Sequence, residues 1–125
     1  MSGWKIVLHE KRPEHPKVGD LFPAPWILQR QKNFGLSPQY FALPEPRRLP
    51  LTIILPGGTP FCIDEMARAR GDYYGVGWAV SGDPATSLTL APSVNIVGAY
   101  HGWIRDGVIS EDVEGRRFPD EPRTA

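Results

Sequence analysis

Cysteine is almost missing from this 125-residue chain, with Cys62 its single example. A lone thiol closes no intramolecular disulfide, which fits a reducing compartment such as the cytoplasm, and it leaves no cysteine-based zinc site within one chain. The histidines do not fill the gap. His9, His15 and His101, taken with Cys62, show no short ligand-like spacing, so neither a metal nor another cofactor is expected. Long apolar runs are missing as well. The longest, Leu49 to Leu55 and Val94 to Val97, are strand-sized and far short of the roughly 20 residues that cross a bilayer as a helix. Met1 to Glu10 lacks the apolar core of a signal peptide. Neither a membrane role nor export is expected. Excess charge is absent too: 14 Lys and Arg balance 14 Asp and Glu, which removes the electrostatic case for wrapping a nucleic acid.

Proline and glycine are plentiful, 14 and 13 residues spread along the chain, so few windows hold a long helix and the pattern is one of short strands joined by turns. The expected architecture is a mainly β single domain, a small antiparallel β-sandwich or partly open barrel of about seven to nine strands with one short helix. Trp4 to His9 reads as the first strand. Pro13, Pro16, Pro23 and Pro25 make Lys11 to Trp26 an extended segment lying on the surface, within a Pro-rich extension over residues 1–48. Trp26 to Leu28 and Tyr40 to Leu43 read as short edge strands, with the polar Gln29 to Asn33 between them. Leu51 to Leu55 is β-branched and fits a buried strand, which Phe61 to Ile63 extends after a turn. Asp64 to Arg70 carries a cap, early acids and late arginines, the marks of a two-turn helix.

Tyr73 to Ser81, Thr86 to Leu90 and Ser93 to Val97 follow as alternating strands. Tyr100 to Arg105 and Val108 to Ser110 flank Asp106-Gly107, the signature of a two-residue hairpin with a type I′ turn, because both turn positions need positive φ. Phe118 onward reads as a frayed end, with residues 119–125 a flexible tail.

Two segments carry candidate chemistry. In Pro56-Gly57-Gly58-Thr59-Pro60 the adjacent glycines and the hydroxyl suit an amide nest for a phosphate or carboxylate. The plainer account is a hairpin turn whose glycines supply positive φ. In Tyr100 to Asp106, strand alternation sends Tyr100, Gly102 and Ile104 to one face and His101, Trp103 and Arg105 to the other. The second face offers a stacking platform with cationic donors, as a nucleotide-like ligand or a host protein would use, unless Trp103 is simply core. Ser93 and Asn95 share a face of the preceding strand and border it. With Gly57, Gly58, Thr59 and Trp78 these residues make up the expected ligand site.

Leu55 to Asp64, Gly77 to Gly82, Leu90 to Ile96 and Tyr100 to Gly107 together resemble a family of uncharacterised, mostly phage-encoded small proteins, some of which have been mislabelled ammonia monooxygenase. The resemblance covers roughly residues 50–118. It implies a phage gene expressed in the bacterial cytoplasm, and it implies no activity. Many relatives carry clustered cysteines near the position of Cys62, and since only Cys62 stands here, no metal site is carried over.

The leading expectation is therefore a non-catalytic, homo-oligomeric binding protein acting on a host component, for instance by sequestering a nucleotide signal or inhibiting a defence protein. The alternatives are a small hydrolase with His101 as base beside Asp64 or Asp106, and a virion or assembly component.

Overall fold

The chain alternates apolar and polar residues over short distances, and in a computed structural model those stretches form thirteen strands, none longer than six residues, among the described residues. The structure describes residues 3–25, 49–63, 66–69, 72–77, 79–91 and 93–119. The strands are β1 (Gly3–Lys5), β2 (Val7–Leu8), β3 (Asp20–Pro23), β4 (Leu51–Ile54), β5 (Pro60–Cys62), β6 (Met66–Ala69), β7 (Asp72–Gly77), β8 (Ala79–Ser81), β9 (Thr89–Ala91), β10 (Val94–Ile96), β11 (Tyr100–Gly102), β12 (Ile104–Arg105) and β13 (Val108–Ser110).

One four-stranded sheet runs in the order β2-β3-β4-β5 and a three-stranded one in the order β1-β13-β12, while β6-β7, β8-β9 and β10-β11 are two-stranded. Every pairing is antiparallel except that of β2 with β3. Among the described residues no sheet closes into a barrel, and the arrangement is sandwich-like and mainly β, as composition and patterning lead one to expect.

A single core draws on the described strands from both ends of the chain. Trp4 and Ile6 meet Leu21, Phe22, Ile53 and Leu55 from the larger sheet and Leu88, Leu90, Val94, Tyr100, Ile104 and Ile109 from the second half. Burial of large apolar side chains of this kind, each contributing roughly 1.5–3 kcal/mol, is what holds strands too short to persist alone.

The Asp106-Gly107 hairpin is observed as expected. Ile104 pairs with Ile109 and Arg105 with Val108, and both turn residues have positive φ, 49° and 77°. The turn also docks. Gly107 N–H donates to Leu88 O at 2.9 Å, and Asp106 N–H donates to Thr89 Oγ1 at 2.9 Å, so the hairpin tip is fixed onto the start of β9.

Four expectations need correction. Met66–Ala69, inside the expected helix Asp64 to Arg70, is a strand paired with β7; Asp64, Glu65 and Arg70 lie outside the described residues. Two helical turns hold too few hydrogen bonds to persist alone, and the Asp72–Gly77 stretch next door offers antiparallel pairing instead, with a register shift between Met66 and Arg68. The segment Lys11 to Trp26 does not simply lie on the surface. Asp20–Pro23 is an inner strand between β2 and β4, with Leu21 and Phe22 fully buried, and Pro23 is its final residue. Thr86 and Ser87 belong to a turn closed by their N–H groups on Asp83 O, so that strand begins only at Thr89. Phe118 is not frayed, because its ring meets Trp4 edge-on at 6.2 Å between centroids and lies 6.3 Å from Tyr100. The expected edge strands Trp26 to Leu28 and Tyr40 to Leu43, the linker Gln29 to Asn33, and residues 120–125 all lie outside the described residues.

Candidate functional site

Two successive turns build the site. Ala99 N–H donates to Ile96 O at 2.8 Å and turns the chain from β10 into β11, placing Asn95 directly opposite His101. After Trp103 the chain changes partners and enters the Asp106-Gly107 hairpin. Alternation holds through this change: Tyr100, Gly102 and Ile104 are buried, His101 and Trp103 are half-buried, and Arg105 is exposed. The expected outward face therefore exists. The Arg105 guanidinium carbon sits over the Trp103 ring, 4.0 Å from its centre, a cation–π contact that covers one ring face.

His101 is engaged at both ring nitrogens. Nδ1 lies 3.1 Å from Glu114 Oε2 and Nε2 lies 3.4 Å from Ser93 Oγ. A carboxylate only accepts hydrogen bonds, so Nδ1 carries the proton; in the neutral ring Nε2 then faces Ser93 as an acceptor. Ser93 sits two residues before Asn95, which makes it the diagonal cross-strand neighbour of His101 on the same face. The carboxylate at His101 is Glu114. Neither of the acids considered from the sequence stands there in the described structure: Asp106 occupies the hairpin turn, and Asp64 is outside the described residues.

Glu114 is delivered by Asp112. The Asp112 side chain is fully buried, and one oxygen, Oδ1, accepts the Glu114 N–H at 2.7 Å in an Asx-turn. The other, Oδ2, accepts the His101 N–H at 3.0 Å and Arg116 Nη1 at 2.9 Å. Val113 N–H donates to His101 O at 2.8 Å. Residues 111–114 thus serve the edge of β11 that β10 leaves open, one of its hydrogen bonds running to a carboxylate in place of a backbone carbonyl. Burial pushes the Asp112 pKa up, but the His101 N–H, the Arg116 guanidinium and the Glu114 N–H together outweigh it and hold the carboxyl below its ordinary value. Arg116 Nη2 also reaches Glu114 Oε1 at 3.5 Å, restraining the carboxylate on its far side.

Beneath this face lies Tyr100, whose hydroxyl donates to Ser110 O at 2.8 Å. Burial pushes its pKa from 10.0 up to about 12, partly opposed by the Ser110 hydrogen bond and assisted by the nearby Asp112 charge. A phenol with its folded pKa above its unfolded one stabilises the fold fully below about pH 10 and progressively less as pH rises towards 12. We expect the urea midpoint of the native protein to fall more steeply between about pH 9.5 and 11 than that of Tyr100→Phe. Parallel slopes would place the titration elsewhere.

The Gly57-Gly58 loop is a turn. Both glycines have φ of 89°, and Gly58 N–H closes the turn on Leu55 O at 2.9 Å, so that amide is already engaged. Leu55 N–H in turn donates to Thr59 O at 2.8 Å. Gly57 sits beside the Phe118 ring, on the side of the buried Tyr100 rather than the outward face. Trp78 lies outside the described residues. Cys62 is buried in β5, opposite Thr52 of β4.

The structure thus brings Ser93, Asn95 and His101 together and stacks Arg105 on Trp103. No family model matches the chain, and no curated protein or solved structure matches it either.

Glu114 escaped the sequence reading because it lies in an irregular stretch without periodicity. The available signal was local: Asp112 two residues ahead and Gly115 one behind, the composition of an Asx-turn.

Proposed function

We propose that the chain is a binding protein that takes a planar, anionic ligand of nucleotide type on its outward face, stacking a base against Trp103 and pairing phosphate with Arg105. The observation carrying this reading is the Arg105 guanidinium 4.0 Å over a half-buried Trp103 ring, a pre-organised pair of the kind that recognises π-faces and negative charge together. Origin from a phage gene, action on a host component in the bacterial cytoplasm and assembly into a homo-oligomer belong to the same proposal. Phage origin and the bacterial cytoplasm are supported by the resemblance over residues 50–118 and by the lone cysteine, and the oligomer by the Trp- and Pro-rich N-terminal sequence, which suits an edge that crosses to a neighbouring chain.

Titration calorimetry with a set of cyclic and linear nucleotides tests the reading. The expected result is saturable heat for at least one of them, weakened roughly 5- to 100-fold by Trp103→Ala, the range that loss of a base–aromatic stack produces. Absence of heat across the set at ligand concentrations far above micromolar would overturn it. Native mass spectrometry of the same sample reads the subunit count.

A further inference from the structure

We infer that Ser93, His101 and Glu114 form a nucleophile, base and orienting carboxylate able to cleave carboxylic esters. The order of contacts is the one acyl transfer requires: hydroxyl to Nε2 at 3.4 Å and Nδ1 to carboxylate at 3.1 Å. Hydroxyl-to-base distances of this length are common before substrate is bound and shorten when it is. Ser93 and His101 meet diagonally across the β10–β11 hairpin, and Glu114 joins them from the 111–118 segment, so the full set takes more than one local turn to assemble.

The carboxylate is held in place as an orienting group must be. Glu114 is fixed through its backbone by Asp112 at 2.7 Å and through its other oxygen by Arg116 at 3.5 Å. The base and the carboxylate are in contact with solvent, the His101 side chain being 27% and that of Glu114 49% exposed, and Ser93 is half-buried beside them. Asn95, exposed and in register with His101, puts a side-chain amide on the same face of β10 as Ser93.

The step balances without any further reactant than water. Ser93 Oγ attacks the ester carbonyl carbon while its proton passes to His101 Nε2, and the carbonyl electron pair moves onto oxygen. Collapse of that intermediate breaks the bond to the alcohol oxygen, which takes the proton from Nε2 and departs, leaving acyl-Ser93. Water repeats the sequence, releasing the carboxylic acid and restoring the serine. Glu114 stays ionised throughout and acts as a positioning residue.

The test uses the intact protein with p-nitrophenyl acetate and with a fluorophosphonate probe. Neither carries a base to stack on Trp103, so the outcome is independent of the nucleotide reading. We expect the probe to modify Ser93, located by peptide mass spectrometry. We also expect acetate-ester turnover to fall to background in Ser93→Ala, with the thermal midpoint unchanged. Glu114→Gln should lower kcat by at least tenfold at nearly constant KM, because the loss concerns orientation of the base and not substrate contact. An unlabelled Ser93 in folded native protein overturns the inference, as does equal turnover by Ser93→Ala. If Ser93→Ala does not fold, labelling of the native serine alone decides the matter.

Discussion

Replacing Asp112 by alanine is expected to lower the free energy of unfolding by about 3 kcal/mol, the range for removing one partner of a buried, charge-assisted network. In a chain of this size that is a fall in Tm of roughly 10 °C. The argument rests on what faces the carboxylate. His101 N–H and Arg116 Nη1 donate to Oδ2, and Glu114 N–H donates to Oδ1. All of these partners are donors, so an asparagine, which must present an NH₂ group on one side, meets a donor there whichever way it turns. Asp112→Asn should therefore be nearly as destabilising as Asp112→Ala, although it preserves shape. Urea denaturation of the three proteins at neutral pH checks both statements, and an asparagine variant as stable as the native protein would refute the account.

The same carboxylate sets an acid limit. Its folded pKa lies below its unfolded one, so its contribution is complete above the ordinary carboxylate range near pH 4 and is lost as pH falls through the lower folded value. The asparagine variant has no such group to protonate. Its stability curve should flatten on the acid side relative to the native protein.

Asp112 also explains why part of the site was legible in the sequence and part was not. The outward set His101, Trp103 and Arg105, bordered by Ser93 and Asn95, follows from strand alternation and from the Asp106-Gly107 turn, both of which are local. Their physical causes, pleat geometry and tolerance of positive φ, act within a few residues and leave a readable trace. Glu114 and Phe118 depend on where an irregular segment docks, which is decided by the buried Asp112 carboxylate and by rings brought from Trp4 and Tyr100. The helix expected over Asp64 to Arg70 failed for the complementary reason. Its caps and charges are real local preferences, each worth about 1 kcal/mol or less, and strand pairing with Asp72–Gly77 exceeded them.

Gly102→Ala is expected to be as costly as the loss of Asp112, though for reasons of space rather than charge. Gly102 follows Tyr100 by two residues on the inward face, and the tyrosine ring folds across it. A Cβ there would collide with the Tyr100 hydroxyl, lie 2.5 Å from Tyr100 Cζ and lie 2.7 Å from Ser110 Oγ. The backbone at Gly102 is ordinary extended chain, so the requirement for glycine comes from the ring above it. Tyr100 is fully buried and has no free direction in which to withdraw, so relief comes only by breaking its hydrogen bond to Ser110 O or by shifting β11. Overpacking of this kind costs about 1–3 kcal/mol, and loss of the hydrogen bond adds about 1.

A double-mutant cycle separates this cause from a generic intolerance of the strand. In a Tyr100→Leu background the obstructing ring is gone and only Ser110 Oγ still crowds the added methyl, so Gly102→Ala should cost less, giving a coupling of about 1–2 kcal/mol between the two positions. Full additivity would mean that Ser110 Oγ or the backbone itself, and not the ring, sets the need for glycine. Coupling of the expected size would show that Tyr100 and Gly102 are a matched pair, the small residue making room for the large one directly beneath His101, so that the base of the outward face rests on a ring held still by its own packing.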